Sequence, residues 1–116
     1  MDDLIHSLTT ELRRGTLTIA VLSQLKKPQY GYSLVQRLEQ YGIEIDQSTL
    51  YPLLRRLEKQ QVLSSSWDTS DSRPRKYYVM SKYGEDVFQA LKTQWRKASQ
   101  DLHLLLKGEE NSGTDK

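Results

Sequence analysis

Side chains that could contact a ligand or a substrate are concentrated in the middle of this 116-residue chain. Their types suit contacts with phosphate groups rather than catalysis. The segment STLYPLLRRLEK, residues 48–59, opens with hydroxyl side chains and continues with Arg55, Arg56 and Lys59. Hydroxyls and cations are the groups that proteins use on phosphates and base edges. We find no nucleophile with a matching base and no pair of carboxylates that would face a pocket. We therefore assign no catalytic residue and expect no enzyme.

Positive charge is also concentrated in the middle of the chain. Residues 1–46 carry five Lys or Arg and six Asp or Glu, residues 47–77 carry six and three, and residues 78–116 carry six and six. The local balances are −1, +3 and 0, which sum to the net charge of +2. A positive middle segment suits a nucleic-acid backbone, although a solvated basic surface has the same composition.

The sequence gives no indication of disulfides, of a metal or cofactor site, or of a membrane segment. The absence of cysteine excludes disulfides and thiolate zinc sites. His6 and His103 are far apart and have no carboxylate pattern around them, so we expect neither a metal nor a cofactor. Because the chain shows neither a leader pattern nor a long apolar run, we expect a cytoplasmic protein without a membrane segment.

The first half of the chain has the pattern of three helices. Residues 8–27 are helix-compatible, residues 32–41 form a second amphipathic segment that stops at Gly42, and a third helix begins within residues 46–48. Two short helices joined by a brief turn predict a helix-turn-helix.

The pattern then becomes extended. The β-prone runs VLSSSWD and RKYYVM flank the turn-rich TSDSRP, which predicts a hairpin over Val62–Met80. A hairpin in this position is a wing. Strand alternation puts Tyr77 and Tyr78 on opposite faces, so at least one should pack inward, and we also expect Trp67 to be a core residue.

Residues 81–107 predict one long helix with a heptad seam, followed by a disordered tail at 108–116. A domain of this size has little left to cover such a seam, so a second copy of the chain is the expected partner. The seam residues are Phe88, Leu91, Trp95, Ala98, Leu102 and Leu105. The fold class is therefore mainly α with a small β-hairpin: a winged helix-turn-helix domain at 8–80 and a dimerisation helix.

The third helix has two different faces. A helical wheel places four leucines on the core side, Leu50, Leu53, Leu54 and Leu57. The opposite side carries Ser48, Pro52, Arg55 and Lys59, flanked by Thr49, Tyr51 and Arg56. A proline inside a helix costs stability. A recognition helix, whose N-terminal residues meet base edges, would explain the tolerance of Pro52. A surface helix with an unusual start is the alternative.

Two further segments present groups that suit phosphate. Arg73, Arg75 and Lys76 lie at or beside the hairpin tip, where Pro74 limits the loop's conformations. Tyr32 and Ser33 lie at the start of the second helix, where their hydroxyls and the backbone donors could meet a phosphate. Capping of that helix by Ser33 is an alternative and is compatible with the first role.

Taken together, the segments GTLTIAVLSQL, YGYSLVQRL, STLYPLLRRLEK and SRPRKYYVMSKYG resemble the PadR family of bacterial winged-helix transcriptional regulators over roughly Leu12–Leu91. The combination of TLYPLLRRLE with RKYY is specific. The single C-terminal helix resembles the smaller PadR subfamily. The matching family positions are Tyr32, Thr49, Leu50, Tyr51, Pro52, Arg56, Leu57, Arg75, Lys76, Tyr77 and Tyr78.

The resemblance implies a dimeric repressor that binds double-stranded DNA at an inverted-repeat operator. The helix from about Gln47 and the wing would contact DNA, and the C-terminal helix would dimerise with help from the N-terminal one. From residue type and resemblance together, the expected DNA-contacting residues are Tyr32, Ser48, Thr49, Tyr51, Pro52, Arg55, Arg56, Lys59, Arg73, Arg75, Lys76 and Tyr78.

The sequence departs from the family pattern at three positions. Ser48 stands where a small residue or glycine usually precedes TLYP, Gln61 replaces a glycine after the third helix, and Ser72 replaces a glycine at the wing tip. These substitutions bear on the turn that follows the third helix and on the path of the wing.

The resemblance also raises the question of an effector. Some family members release DNA when a small aromatic molecule stacks on a tryptophan of the long helix, and Trp95 stands on that seam. Packing of Trp95 in the dimer core is the alternative that we favour. A winged helix that binds a protein is the main rival function, but it would need an apolar third-helix face, whereas this one is cationic.

Overall fold

The structure is a computed structural model that describes residues 1–115, with side chains described for residues 1–108. The elements follow the order expected for a winged helix-turn-helix. They are α1 (Asp2–Ser23), β1 (Gln29–Tyr30), α2 (Gly31–Gln40), α3 (Gln47–Lys59), β2 (Leu63–Asp68), β3 (Arg75–Met80) and α4 (Lys82–Asp115). Within the described residues, no helix combines the length and apolar character needed to cross a membrane.

One apolar core joins the four helices with strands β2 and β3. Leu22, Leu34 and Leu54, from three different helices, are each at most 1% exposed, and Phe88 brings α4 into the same cluster. Burial of leucine side chains of this kind stabilises a fold by about 1.5–3 kcal/mol each. The core therefore fixes α3 against α1 and α2 and leaves its other face free.

The first helix differs from the sequence prediction at both ends. It begins at Asp2 rather than Leu8, and it ends at Ser23 rather than Lys27. The chain leaves the helix early because Leu25 turns into the core, fully buried, and its carbonyl accepts a hydrogen bond from the Met80 amide at 2.8 Å. A tertiary contact thus overrides a helix-compatible sequence.

The end of α2 matches its prediction. Gly42 adopts a φ of +80°, and the amides of Gly42 and Ile43 donate to the carbonyls of Glu39 and Leu38, each at 2.9 Å. This pair of bonds is a Schellman motif, in which glycine takes the left-handed position without a steric penalty. The turn between α2 and α3 begins here.

The end of α3 has the same motif with a different residue. Gln61 has a φ of +65°, and the amides of Gln61 and Val62 donate to Glu58 and Leu57 at 2.9 Å. Gln61 is the only non-glycine residue with positive φ among those described. The position where the sequence departs from the family's glycine is therefore a position that favours glycine.

The sheet has three antiparallel strands in the order β1-β3-β2. The hairpin predicted over Val62–Met80 is present, with Leu63 opposite Met80 and Asp68 opposite Arg75. The two-residue strand β1, which pairs Tyr30 with Tyr77, has no counterpart in the sequence prediction. It is too short to show an alternating pattern, and pairing with β3 alone defines it.

The long helix α4 begins against the end of α3. The Ser81 hydroxyl accepts a hydrogen bond from the Gly84 amide at 2.9 Å, which caps the helix, and lies 2.7 Å from the Gln61 carbonyl oxygen. A Cβ atom at Gly84 would collide with the carbonyl oxygen of Val62. Helix α4 continues to Asp115, past the predicted end at residue 107, so the structure has helix where the sequence predicts a disordered tail; residue 116 lies outside the described residues.

Candidate nucleic-acid interface

The third helix shows the two faces that its sequence predicts. Leu50, Leu53, Leu54 and Leu57 are all buried, between 0% and 7% exposed. The opposite face is open to solvent along its whole length and consists of Ser48, Thr49, Pro52, Arg55, Arg56 and Lys59. A firmly packed inner face with polar and cationic groups outside is what a recognition helix requires.

Pro52 lies inside α3, which begins five residues earlier at Gln47. Its ring nitrogen has no hydrogen to donate to the carbonyl of Ser48, one turn before it. The helix nevertheless stays helical from end to end. The outer face therefore carries the compact apolar ring of Pro52 beside the carbonyl oxygen of Ser48. The buried leucines keep the segment helical.

Tyr51 lies on the flank of α3 and packs against the start of α2. A Cβ atom at Gly31 would stand only 2.5 Å from the ring and hydroxyl of Tyr51, so any other residue there would displace that ring. Gly31 is buried and Tyr51 is half-buried. Tyr51 therefore sets the approach of α2 to α3.

The start of α2 offers one exposed tyrosine. Tyr32 is 55% exposed, whereas Ser33 is half-buried and donates to the carbonyl oxygen of Tyr30 at 2.9 Å. Tyr30 occupies the N-cap position and makes no side-chain capping bond, so Ser33 does not cap the helix. Tyr32 remains available to a ligand, and the Ser33 hydroxyl is occupied.

The cations of the wing differ in how firmly they are held. Arg73 is exposed near the tip. Arg75 is positioned, because its guanidinium lies 5.1 Å from the centre of the Tyr30 ring and 3.5 Å from the Tyr30 hydroxyl. Tyr30 in turn meets Tyr77 edge to face at 5.3 Å. The aromatic pair therefore orients Arg75, which still presents its charge to solvent.

A turn stabilised by Asp68 leads into the wing tip. Its carboxylate accepts a hydrogen bond from the Ser70 amide at 2.9 Å. Hydrogen bonds from Ser70, and then the charge of Arg75, hold the pKa of Asp68 below its usual value. Asp68 is therefore ionised at neutral pH and serves the turn.

Lys76 is bound to α3 rather than free. Its ammonium lies 3.1 Å from Glu58 Oε1, and the Ser65 hydroxyl donates to Glu58 Oε2. The Ser65 hydrogen bond, followed by that of Lys76, lowers the pKa of Glu58, and the Glu58 hydrogen bond raises the pKa of Lys76. Both groups are charged at neutral pH, and each neutralises the other.

Two aromatic residues of the hairpin differ from expectation. Tyr78 is 3% exposed and packs into the core, so its ring offers no surface to DNA and we remove it from the expected contacts. It is the inward-facing tyrosine that strand alternation predicts. Trp67 was expected in the core but is 63% exposed, because it lies next to the hairpin loop, far from the end of the hairpin, at Leu63 and Met80, that is buried in the core.

The heptad seam of α4 divides into two parts. Phe88 is buried and Leu91 packs against the core of the same chain. The later seam positions Trp95, Ala98, Leu102 and Leu105 are exposed. On α1, the apolar residues Leu4, Ile5, Leu8 and Leu12 are 54–72% exposed. The first half of α1 and the later part of α4 thus each carry an uncovered apolar stripe.

Comparison with known proteins agrees with this architecture. Residues 19–90 match the sequence model of the Transcriptional regulator PadR-like family. The chain belongs to the PadR family. A PadR-family transcriptional regulator from Eggerthella lenta is 48% identical, with a TM-score of 0.87 over 90% of this chain and 94% of that one.

Two further relatives have a lower sequence identity to this chain. The PadR-like transcription factor of Bacteroides fragilis is 30% identical, with a TM-score of 0.73 over 85% of this chain and 98% of the other. The transcriptional regulator Rv3488 of Mycobacterium tuberculosis is 30% identical over 79% of this chain and 83% of its own length. The resemblance found in the sequence is confirmed, and this PadR protein is a transcriptional regulator with the winged-helix fold.

The structure adds residues that the sequence interpretation did not single out. Glu58 and Ser65 join α3 to the wing, and Tyr30 orients Arg75. Glu58 could have been recognised from the sequence, because it is the one acidic residue in the otherwise basic α3. Tyr30 gave no such signal, because its role depends on a strand pairing between distant segments.

Proposed function

We propose that this PadR protein is a dimeric repressor that binds an inverted-repeat operator through α3 and the wing. The observation that carries the proposal is the outer face of α3, where Ser48, Pro52, Arg55 and Lys59 are exposed while the opposite face is locked in the core. Hydroxyls at the N-terminal end and cations further along match the order in which a recognition helix meets base edges and phosphates.

The wing supports the same surface. The Glu58–Lys76 ion pair holds the hairpin beside α3, so the exposed Arg73 and the positioned Arg75 extend the basic area beyond the helix. Phosphates flanking the recognised bases are natural partners for guanidinium groups on a stiffened loop. Tyr32, at the start of α2, adds a hydroxyl for a backbone contact.

The dimer follows from the uncovered apolar stripes. Leucines at 51–72% exposure on α1 and α4 would be unusual on the surface of a monomer of this size. A second copy can bury Trp95, Ala98, Leu102 and Leu105 of one chain against the same helix of its partner. To reach successive major grooves on one face of DNA, the two α3 helices of such a dimer must lie about 34 Å apart, which is one turn of DNA. Occupation of the operator would then compete with transcription.

Trp95, which is 48% exposed in the single chain, has two candidate roles in this dimer. It fills the dimer core, or it stacks on a planar aromatic effector that rotates the subunits and releases DNA. We favour packing. A Trp67→Phe variant leaves Trp95 as the only tryptophan, so its emission can be followed while a planar aromatic molecule without affinity for DNA, such as naphthalene-2-sulfonate, is added. Saturable quenching, together with release of bound DNA, would establish the effector role.

The DNA surface can be tested by alanine substitution. Arg55→Ala and Arg56→Ala should weaken binding to a labelled duplex taken from the DNA upstream of the protein's own coding region, without changing the dimer. Lys107→Ala is the matched control, since it removes an exposed cation from α4 instead. If both arginine variants bind like the wild type, the DNA surface is misplaced. If no duplex binds at all, a protein partner for α3 becomes the better explanation.

A further inference from the structure

Glu58 is an unexpected residue on a helix proposed to approach a polyanion. It is the only acidic side chain of α3, and simple electrostatics would have it repel phosphate. Its carboxylate points to the hairpin, where it accepts one hydrogen bond from each strand: from Ser65 of β2 and, at 3.1 Å, from Lys76 of β3. A single carboxylate thus holds both strands of the wing against α3.

Lys76 is enclosed as well as paired. Its side chain is 29% exposed, and its ammonium lies 5.2 Å from the Tyr78 ring centre and 6.0 Å from that of Trp67. A cation between aromatic faces and a carboxylate has little left to offer a phosphate. Lys76 is adjacent to Arg75 on β3. The contact of Lys76 with Glu58 therefore also fixes the position of Arg75.

We propose that Glu58 and Lys76 form a clamp that sets the angle of the wing relative to α3, so that Glu58 is a positioning residue for DNA binding and Lys76 contributes through the clamp instead of through a phosphate. The inference rests on the proposed DNA-binding function and reassigns Lys76 within it. Winged-helix contacts come from two elements at once, so a wing free to swing would lose the benefit of joint binding.

The clamp and plain electrostatics predict opposite signs for one substitution. Glu58→Gln removes a negative charge near the DNA surface, which by charge alone should tighten binding. If the carboxylate positions the wing, binding should weaken by about two- to fivefold per subunit, the range expected for a partly exposed ion pair. Glu39→Gln is the matched control: the same change, at an exposed site on α2, should leave binding unchanged or slightly tighter.

Lys76 is tested by the salt dependence of binding. A lysine that contacts a phosphate contributes about 0.9 to the slope of log K against log salt concentration. Lys76→Met, which keeps the length of the side chain, should therefore weaken binding while leaving the slope unchanged. A slope reduced by about 0.9 per subunit would show that Lys76 leaves Glu58 to contact DNA, and would overturn the clamp. The exchange of both residues, Glu58→Lys with Lys76→Glu, should recover part of the lost affinity.

A measurement without DNA separates the clamp from the proposed function. The urea midpoints of wild type, Glu58→Gln, Lys76→Met and the double variant form a cycle in which coupled residues give non-additive shifts. We expect the second substitution to have little effect once the first is made. Additive shifts would overturn the clamp whatever the protein binds. Coupling in a wild-type protein that binds no duplex would instead overturn the proposed function, and with it the role of Glu58 in DNA binding.

Discussion

Gln61 offers a direct test of how the end of α3 is built. The residue holds the left-handed position of a Schellman motif at a φ of +65°, in the turn that leads from α3 into the wing. Glycine adopts this conformation freely, whereas an L-residue with a Cβ atom is strained there. Gln61→Gly should therefore stabilise the protein, contrary to the usual effect of introducing glycine.

The size of the effect follows from two opposing contributions. Relief of the left-handed conformation is worth about 1–2 kcal/mol. The greater freedom of glycine in the unfolded chain offsets about 0.5–1 kcal/mol of this. The free energy of unfolding should thus rise by about 0.5–1 kcal/mol, and glycine keeps the backbone carbonyl of residue 61 that accepts the hydrogen bond from Ser81. In a chain of this size that corresponds to about 2–6 °C in Tm.

The assay is urea and thermal unfolding followed by circular dichroism at a fixed protein concentration, since stability of a dimer depends on concentration. Gln60→Gly is the matched control. Gln60 has a φ of −80°, which any residue adopts, so glycine there should only destabilise. If Gln61→Gly proves no more stable than the wild type, the strain assigned to this turn is absent and the Schellman interpretation of the α3 end is wrong.

Three further substitutions test the packing, the electrostatics and the dimer. Gly31→Ala should lower the free energy of unfolding by about 1–3 kcal/mol in urea melts because its methyl group meets the Tyr51 ring, whereas Gly15→Ala, in open space on α1, should raise it by about 0.5–1 kcal/mol; equal effects would contradict the close contact. Since the pKa of Glu58 is lowered from 4.5, its ion pair stabilises the fold fully above that pH and is lost as the pH falls through the lowered folded value. Urea midpoints between about pH 6 and 3 should therefore fall less steeply for Glu58→Gln than for the wild type, and identical profiles would contradict this. Leu102→Glu should shift sedimentation equilibrium from dimer to monomer and reduce DNA binding as a consequence, whereas an unchanged dimer would place the interface elsewhere.

The sequence predicts this fold well because its strongest signals are local. The leucines of α3 recur at helical spacing, Gly42 marks a helix end, and the hairpin runs are separated by turn residues, so the winged helix can be recognised without a structure. The sequence places the end of α1 too late and does not predict β1, because both depend on contacts with Met80 and Tyr77 far along the chain.

The candidate interface was predictable in its residue types but not in their availability. Arg55 and Lys59 are exposed as expected, since helical periodicity alone decides which way they face. Lys76 and Tyr78 looked equally suited to DNA in the sequence, yet one is bound by Glu58 and the other is buried. Strand alternation allows two orientations of a hairpin, and only the packed structure selects one.

The central claim is that α3 and the wing bind an operator. It is tested most directly by the fluorescence anisotropy of a labelled duplex from the DNA immediately upstream of the protein's own coding region, titrated with the wild-type protein at two salt concentrations beside a scrambled duplex. The account predicts selective binding of the upstream duplex, with one dimer per duplex and persistence at the higher salt. Equal, weak binding to both duplexes that disappears at the higher salt would contradict it.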